Sequence, residues 1–406
     1  MPRDLLIRGA HVVLANGILP DASVRIANGV IVDVSASIGV AGRSERVIEA
    51  DGRWLLPGLV DMHCDAIERE VQPRPGVQLP FEMALREIDR KLAMVGITTM
   101  YHSVSFGAGE GVRSNEVAAA LIRAITEFGE GPSLVRHQAH LRFEISNWEA
   151  IDLVATLVSE GSVGLLSLMD HTPGQGQYRD PTRYRDYVKK TFWIGEAEVD
   201  RIVREKHEGR ARVTEAHLRE LGEIARSARV PVAGHDPDSS ESVQIAAARG
   251  ASMLEFPMSL PVARYATEAG LDVCVGAPNV LYGRSHDGNL SAREAIAANA
   301  ANVLCSDYYP SGLLPAVWTL VEQGIKSLPT AVAMASLHPA RAIGLGFVAG
   351  SIEPGWLADL LLVSERGGRP VVDSTIVGGE VVMTADARSV PDRRVAGEAV
   401  TVLSGR

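Results

Sequence analysis

The chain has 406 residues, 46% of them hydrophobic, and a formal net charge of −10. That size allows a large buried core, and the negative charge excludes nucleic acid or an anionic membrane surface as the main partner, since both select basic patches. A small anionic substrate held by a few local arginines stays compatible with it.

The opening MPRDLLIRGAHVV lacks the apolar core and small-residue cleavage pattern of a signal peptide, and no apolar run approaches the ~20 residues of a membrane span. A cytoplasmic enzyme is the expectation. Three cysteines, Cys64, Cys274 and Cys305, make no disulfide framework and sit in apolar runs as core residues.

The first ~55 residues read as short strands separated by turn signals. Residues 5–14 form one strand, and 24–27 meets 30–32 across Asn28-Gly29, a strong hairpin signal. The C-terminal segment returns to this style at 358–363, 371–377 and, after Gly378-Gly379, 380–383. The two ends, 1–55 and 347–406, are therefore expected to join into one small β-sandwich domain.

The middle, 56–346, alternates apolar strands with amphipathic helices. Met83, Leu85, Ile88, Leu92 and Val95 predict a helix over 82–95 that stops at Gly96, and Ser291-Ala292-Arg293-Glu294 reads as a capping box. A further helix is expected over 330–345. Eight strand candidates end at Asp65, Phe106, Ile145, His171, Asp236, Pro257, Asn279 and Asp307. Strand–helix alternation repeated about eight times over ~250 residues predicts an α/β fold of the (β/α)8, TIM-barrel type.

Such a barrel carries its active site at the C-terminal ends of its strands. There the sequence places His63 and Asp65, whose i, i+2 spacing on a strand makes imidazole and carboxylate converge, while Cys64 between them faces the barrel wall. Glu144 follows HLRFE, His171 follows GLLSLMD, His235-Asp236 follows VPVAG, and Asp307 follows VLCS. One such histidine is most simply a hydrogen-bonded core residue; five strands each ending in a potential ligand point to a metal site. His63, Asp65, Glu144, His171, His235 and Asp307 are the candidate ligands for one or two divalent ions, with Zn favoured and Mn or Fe as alternatives. His207, in a charged KHEGR stretch, and His217, on the polar side of a helix, are read as non-functional.

The pattern resembles the amidohydrolase superfamily, whose barrels carry a metal pair and a small β domain built from both chain ends. PGLVDMH is like its first-strand signature, and SLHPARAIGLG and GSIEPGWLADLLLV look like its closing elements. The blocks HCDAIEREVQPRPGV, AHLRFEI, SLMDHTPGQGQY, GHDP, EFP, GAPN, SHDGN and SDYYP are more narrowly similar to the PhnM-like α-D-ribose 1-methylphosphonate 5-triphosphate diphosphatase family.

That resemblance implies a metal-dependent hydrolase that cleaves a triphosphate between its α and β phosphates, releasing pyrophosphate and a 5-monophosphate. It implies Asp307 as the catalytic carboxylate that orients water and takes its proton. Arginines would bind the phosphates, and the candidates are Arg74, Arg142 and Arg284, with Gln175, Gln177, His286 and Tyr308 as further substrate-binding positions. Expected partners are the small anionic substrate, a second copy of the chain and other enzymes of phosphonate catabolism. The chain departs from the family pattern at Ala66, Pro237, Met258-Ser259 and within 283–289. These changes spare the ligands and alter polar positions, which leaves open a paralogue that hydrolyses an amide, lactam or amine-bearing ring.

Overall fold

The computed structural model describes residues 4–42, 45–107, 109, 111–192, 194–285 and 288–385. The N-terminal apolar runs form β1 (Leu5–Leu14), β2 (Gly17–Ala27), β3 (Val30–Ser35), β4 (Arg46–Glu49) and β5 (Trp54–Pro57). Asn28 and Gly29 turn β2 into β3 with φ of 52° and 81°, the doubly left-handed geometry that a tight hairpin needs. The barrel strands are β6 (Leu59–Cys64), β7 (Ile97–Phe106), β8 (Arg136–Glu144), β9 (Leu165–Met169), β10 (Val232–His235), β11 (Met253–Glu255), β12 (Asp272–Gly276) and β13 (Val303–Cys305). The chain then returns as β14 (Leu360–Arg366), β15 (Arg369–Val377) and β16 (Glu380–Thr384).

Two eight-stranded sheets result. The strands of both chain ends join in the order β16-β15-β14-β5-β1-β2-β3, with β4 pairing β1. Their core, which includes Ile7, Val24, Leu55, Leu360 and Ile376, is separate from that of the barrel. Residues 386–406 of the expected β domain lie outside the described residues. The second sheet, β6 to β13 in chain order, is wholly parallel. It closes where Asp65 N donates to Asp307 O at 2.6 Å and Asp307 N donates to His63 O at 3.0 Å. Three candidate ligands thus make the closing seam. Between β5 and β6 only Gly58 fits, because a Cβ there would lie 2.2 Å from the Thr98 hydroxyl.

Three local expectations change. The strand expected to end at Asn279 ends at Gly276, and a helix Ala277–Tyr282 begins at once; Pro278 suits a helix's first turn. Asn279 in that helix accepts from Ala292 N at 3.0 Å. It thereby does the capping expected of Ser291, whose hydroxyl makes no cap bond. The helix expected over 330–345 is two, Leu328–Met334 and Leu337–Ala342, broken at Ser336 (φ −140°, ψ −78°). There Gly350 approaches so closely that a Cβ on it would meet Ser336 O at 2.6 Å.

Most strand-to-strand connections carry a single main helix. The link from β9 to β10 instead holds three, Pro181–Phe192, Glu196–Arg212 and Glu215–Ser227. The first two pack on a small core of their own around Tyr184, Val188 and Val199. They read as an insertion above the barrel mouth. Among the described residues no helix is long and apolar enough to cross a membrane.

Behind the barrel wall lies a buried chain of polar groups. His102 Nε2 and His137 Nδ1 are 2.8 Å apart, and His137 Nε2 is 3.0 Å from Asp89 Oδ1. Burial, with His137 beside it, pushes the His102 imidazole well below its ordinary range. The folded state thus keeps this ring neutral where the unfolded chain protonates it near pH ~6.5. Its contribution to stability is complete above that pH and is lost as the pH falls, by about 1.4 kcal/mol per unit per proton. Urea midpoints between pH 7 and 5 are expected to fall less steeply for His102→Gln than for the parent; parallel slopes would contradict the assignment.

Candidate active site

At the C-terminal end of the barrel, side chains from six strands converge. His63 is the last residue but one of β6, and His140, Arg142 and Glu144 alternate along β8 with one face inward. His171 follows β9, His235 ends β10, Glu255 ends β11 and Asp307 follows β13. The residues just past three strands, Asp236 (φ 49°), Phe256 (φ 55°) and Asp307 (φ 61°), are all left-handed. Asp tolerates this conformation, whereas for Phe it is an outlier of the kind that clusters at functional sites.

Glu255 is fully buried and organises the centre. Its Oε1 accepts from His63 Nδ1 at 2.7 Å; its Oε2 accepts from His235 Nδ1 at 3.1 Å and from Ser167 Oγ at 2.8 Å. Burial alone pushes this carboxyl up. The His63 and His140 imidazoles and the histidine hydrogen bonds outweigh it, so Glu255 stays ionised well below the usual carboxylate range. Burial drives the neighbouring His140 down to about 3.

Closer to the mouth, Arg142 Nη1 donates to both oxygens of Asp65, at 2.7 and 3.0 Å, and Nη2 lies 3.2 Å from His235 Nε2. Burial opposes the charge on Asp65, and Arg142 and then His63 reverse it, leaving the carboxylate below its ordinary range. On the other side His171 Nδ1 is 3.0 Å from Glu144 Oε2, and Lys206 Nζ from the inserted helix lies 3.1 Å from the same oxygen. Burial again works against ionisation of Glu144, and Lys206 and His171 overcome it.

A cleft of about 480 Å3 opens over this centre, lined by Arg142, His235, Asp236, Arg284, Asp307 and Tyr308 among others. A neighbouring cleft of about 170 Å3 is lined by Gln175, Asp236 and Arg210. Arg284 is held over the Tyr282 ring at 4.9 Å and donates to its hydroxyl at 2.7 Å. Tyr308 is 40% exposed at the rim. Arg74 lies on an exposed turn bridged to Val77 and lines neither cleft. His286 and the Gln177 side chain lie outside the described residues. His207 is exposed, and His217 completes a reciprocal capping box with Thr214.

Glu255, His140 and Lys206 are the site residues that sequence reasoning missed. For His140 the signal was present: His140, Arg142 and Glu144 share one face of HLRFE by the two-residue period. For Glu255 it was faint, a lone carboxylate in the apolar MLEFP. For Lys206, reaching in from an inserted helix, there was none.

The sequence profile of the amidohydrolase family matches residues 54–382, the whole barrel together with β5, β14, β15 and most of β16 of the other sheet. The chain belongs to the amidohydrolase family. Among characterised proteins, the α-D-ribose 1-methylphosphonate 5-triphosphate diphosphatase of Escherichia coli (strain K12) is 31% identical over 335 residues, which is 82% of this chain and 88% of that protein. Solved structures share the fold at lower identity. A Xaa-Pro dipeptidase with bound methionine superposes with a TM-score of 0.64 at 15% identity, covering 93% of this chain and 99% of that one. The N-acetylglucosamine-6-phosphate deacetylase of Pasteurella multocida gives 0.63 at 13%, again covering 93% and 99%. A prolidase complexed with N-methylphosphonate-L-proline gives 0.62 at 16%, covering 94% and 100%.

This amidohydrolase is thus a hydrolase, of a superfamily that uses divalent metal ions. Its donor set fits such an ion on structural grounds. His171, His235 and Asp236 form a group of potential ligand atoms within 4.8 Å of one another, and His63 and His140 lie in a second such group, whose carboxylate, Glu255, already accepts from His63. His140 Nε2 and His171 Nε2 are buried without a hydrogen-bond partner, although Asp236 Oδ2 stands 3.5 Å from the latter. Buried polar atoms are rarely left unpaired without a reason.

Proposed function

We propose that this chain hydrolyses α-D-ribose 1-methylphosphonate 5-triphosphate, adding water across the α–β phosphoanhydride to give the 5-monophosphate and pyrophosphate. The observation that carries the proposal is the 31% identity to the Escherichia coli diphosphatase over 82% of this chain and 88% of that protein. The cleft supports it, because Arg142 and Arg284 line the same space as Asp307, where guanidinium groups suit phosphoryl oxygens.

His63, Asp65, Glu144, His171, His235 and Asp307, with Asp236 beside them, are the residues that would hold one or two divalent ions, and their nitrogen and oxygen donors suit Zn, with Mn or Fe next. Such an ion supplies Lewis acidity and makes water acidic enough to attack at neutral pH. The Asp307 carboxylate, half-buried at the cleft wall, orients that water and takes its proton. Arg142 and Arg284 bind the phosphoryl oxygens and the departing pyrophosphate. Lys206 keeps Glu144 ionised at the edge of the centre.

The test is removal and return of the metal. Dialysis against a chelator is expected to abolish turnover of this triphosphate, and zinc or manganese to restore it. Turnover unchanged in protein shown to be metal-free would contradict the reading.

A further inference from the structure

The two histidines at the middle of the centre are held by one dipeptide. The His63 and His235 rings lie parallel, 9° apart with centroids at 5.8 Å, and one carboxylate reaches both Nδ1 atoms, Oε1 of Glu255 to the first and Oε2 to the second. Phe256 then sets its ring edge-on to each, at 5.0 Å and 86° to His63 and at 5.4 Å and 87° to His235. It does so from a left-handed backbone, a conformation that costs on the order of 1–3 kcal/mol for such a residue. An ionised carboxylate has no proton to give, so both Nδ1 atoms must donate. The lone pair on His235 is thereby left at Nε2, where it faces the Arg142 guanidinium at 3.2 Å. The Nε2 of His63 likewise faces Asp65 Oδ1, at 3.8 Å.

We infer that Glu255, backed by Phe256, is the positioning residue of this centre: it fixes the tautomer and orientation of His63 and His235 together, so that both present Nε2 to a divalent ion at the barrel mouth. The inference rests on the divalent-metal reading of the site and is independent of the substrate. Carboxylates that accept from the distal nitrogen of a ligating histidine set its tautomer and raise its basicity, and their loss typically costs 10–100-fold in metal affinity. Here one carboxylate serves two rings, so Glu255→Gln has an asymmetric consequence. The amide oxygen can accept from one Nδ1, but the amide NH2 confronts the other and favours the tautomer whose proton sits on Nε2. One imidazole is then lost as a ligand while the side chain keeps its shape.

The experiment uses the full chain stripped of metal and measures zinc affinity by competition with a chromophoric chelator. Proton NMR of the metal-free protein follows the hydrogen-bonded imidazole N–H signals. Glu255→Gln is expected to bind zinc about 10–100-fold more weakly and to lose at least one of the two downfield Nδ1–H resonances. Ser167→Ala, which removes a neutral donor from the same carboxylate and leaves both histidine bonds, is expected to keep both resonances and lose far less affinity. Should Glu255→Gln fail to fold, Glu255→Asp, with a carboxylate one methylene short of bridging both rings, is expected to bind zinc more weakly than both the parent and Ser167→Ala and to lose one of the two Nδ1–H resonances. Parent-like zinc affinity in a folded Gln or Asp variant would overturn the positioning role alone. A parent protein that binds no zinc would overturn the metal reading, and this role with it.

Discussion

Asp307→Asn is expected to lower kcat by about 10²–10⁴, the usual worth of a positioned general base, while leaving the thermal transition close to that of the parent. The reason for choosing asparagine lies in the backbone. Asp307 has φ of 61°, and after glycine the residues that best tolerate this region are Asn and Asp. Its N–H and C=O also make the two bonds that close the barrel, to His63 and Asp65. Asparagine preserves both and removes the charge, and with it the capacity to take a proton and an anionic donor to the divalent ion, so the kinetics are read on protein shown to carry its metal. Alanine would add backbone strain and confuse stability with chemistry. Kinetics and thermal melts on the same preparation separate the two. Full activity in Asp307→Asn would remove this residue from the role of base.

Arg142→Met is expected to have the second-largest effect, and on two readouts. Arg142 is 7% exposed, and its Nη1 donates to both oxygens of Asp65. Removing one partner of such a buried pair costs about 3–5 kcal/mol, because the other charge stays behind without compensation. A lower urea midpoint at pH 7 follows. The loss should shrink as the pH drops through the ordinary carboxylate range, since Asp65 is held ionised by Arg142 and its stabilising contribution is present only above that range. In catalysis the substitution should weaken kcat/KM for the triphosphate far more than for a singly charged phosphodiester such as bis(p-nitrophenyl) phosphate. Equal losses on both would contradict a phosphate-binding role.

The barrel was legible because each strand is an apolar run that stops at a polar residue, and seven of the eight expected ends fall within about two residues of the observed ones. Asn279 misled because Gly276-Ala277-Pro278 is apolar enough to continue a strand, while proline's fixed φ starts a helix just as well. The break at Ser336 was signalled by Pro339, which has no N–H to continue a helix through Ala335 and suits the first turn of a new one; the close approach of Gly350 to Ser336 was not legible, since it comes from the far side of a loop. The histidines and aspartates of the centre announced themselves by chemistry and by strand-end position.

The residues that organise them did not. Glu255 ends a strand of three residues, too short to display alternation, and Lys206 comes from a helix that no barrel requires. Arg142 was legible as a cation on the inward face of β8. Its engagement with Asp65 and His235 was not, because that depends on strands lying 77 and 93 residues away.

The most direct measurement of the central claim is phosphorus NMR of the products formed from α-D-ribose 1-methylphosphonate 5-triphosphate by zinc- or manganese-loaded protein. Pyrophosphate and the 5-monophosphate in equal amounts are the predicted result. Orthophosphate with the 5-diphosphate, or no turnover by protein shown to carry its metal, would contradict it and leave an amidohydrolase whose substrate Ala66, Pro237 and Met258 would have to explain.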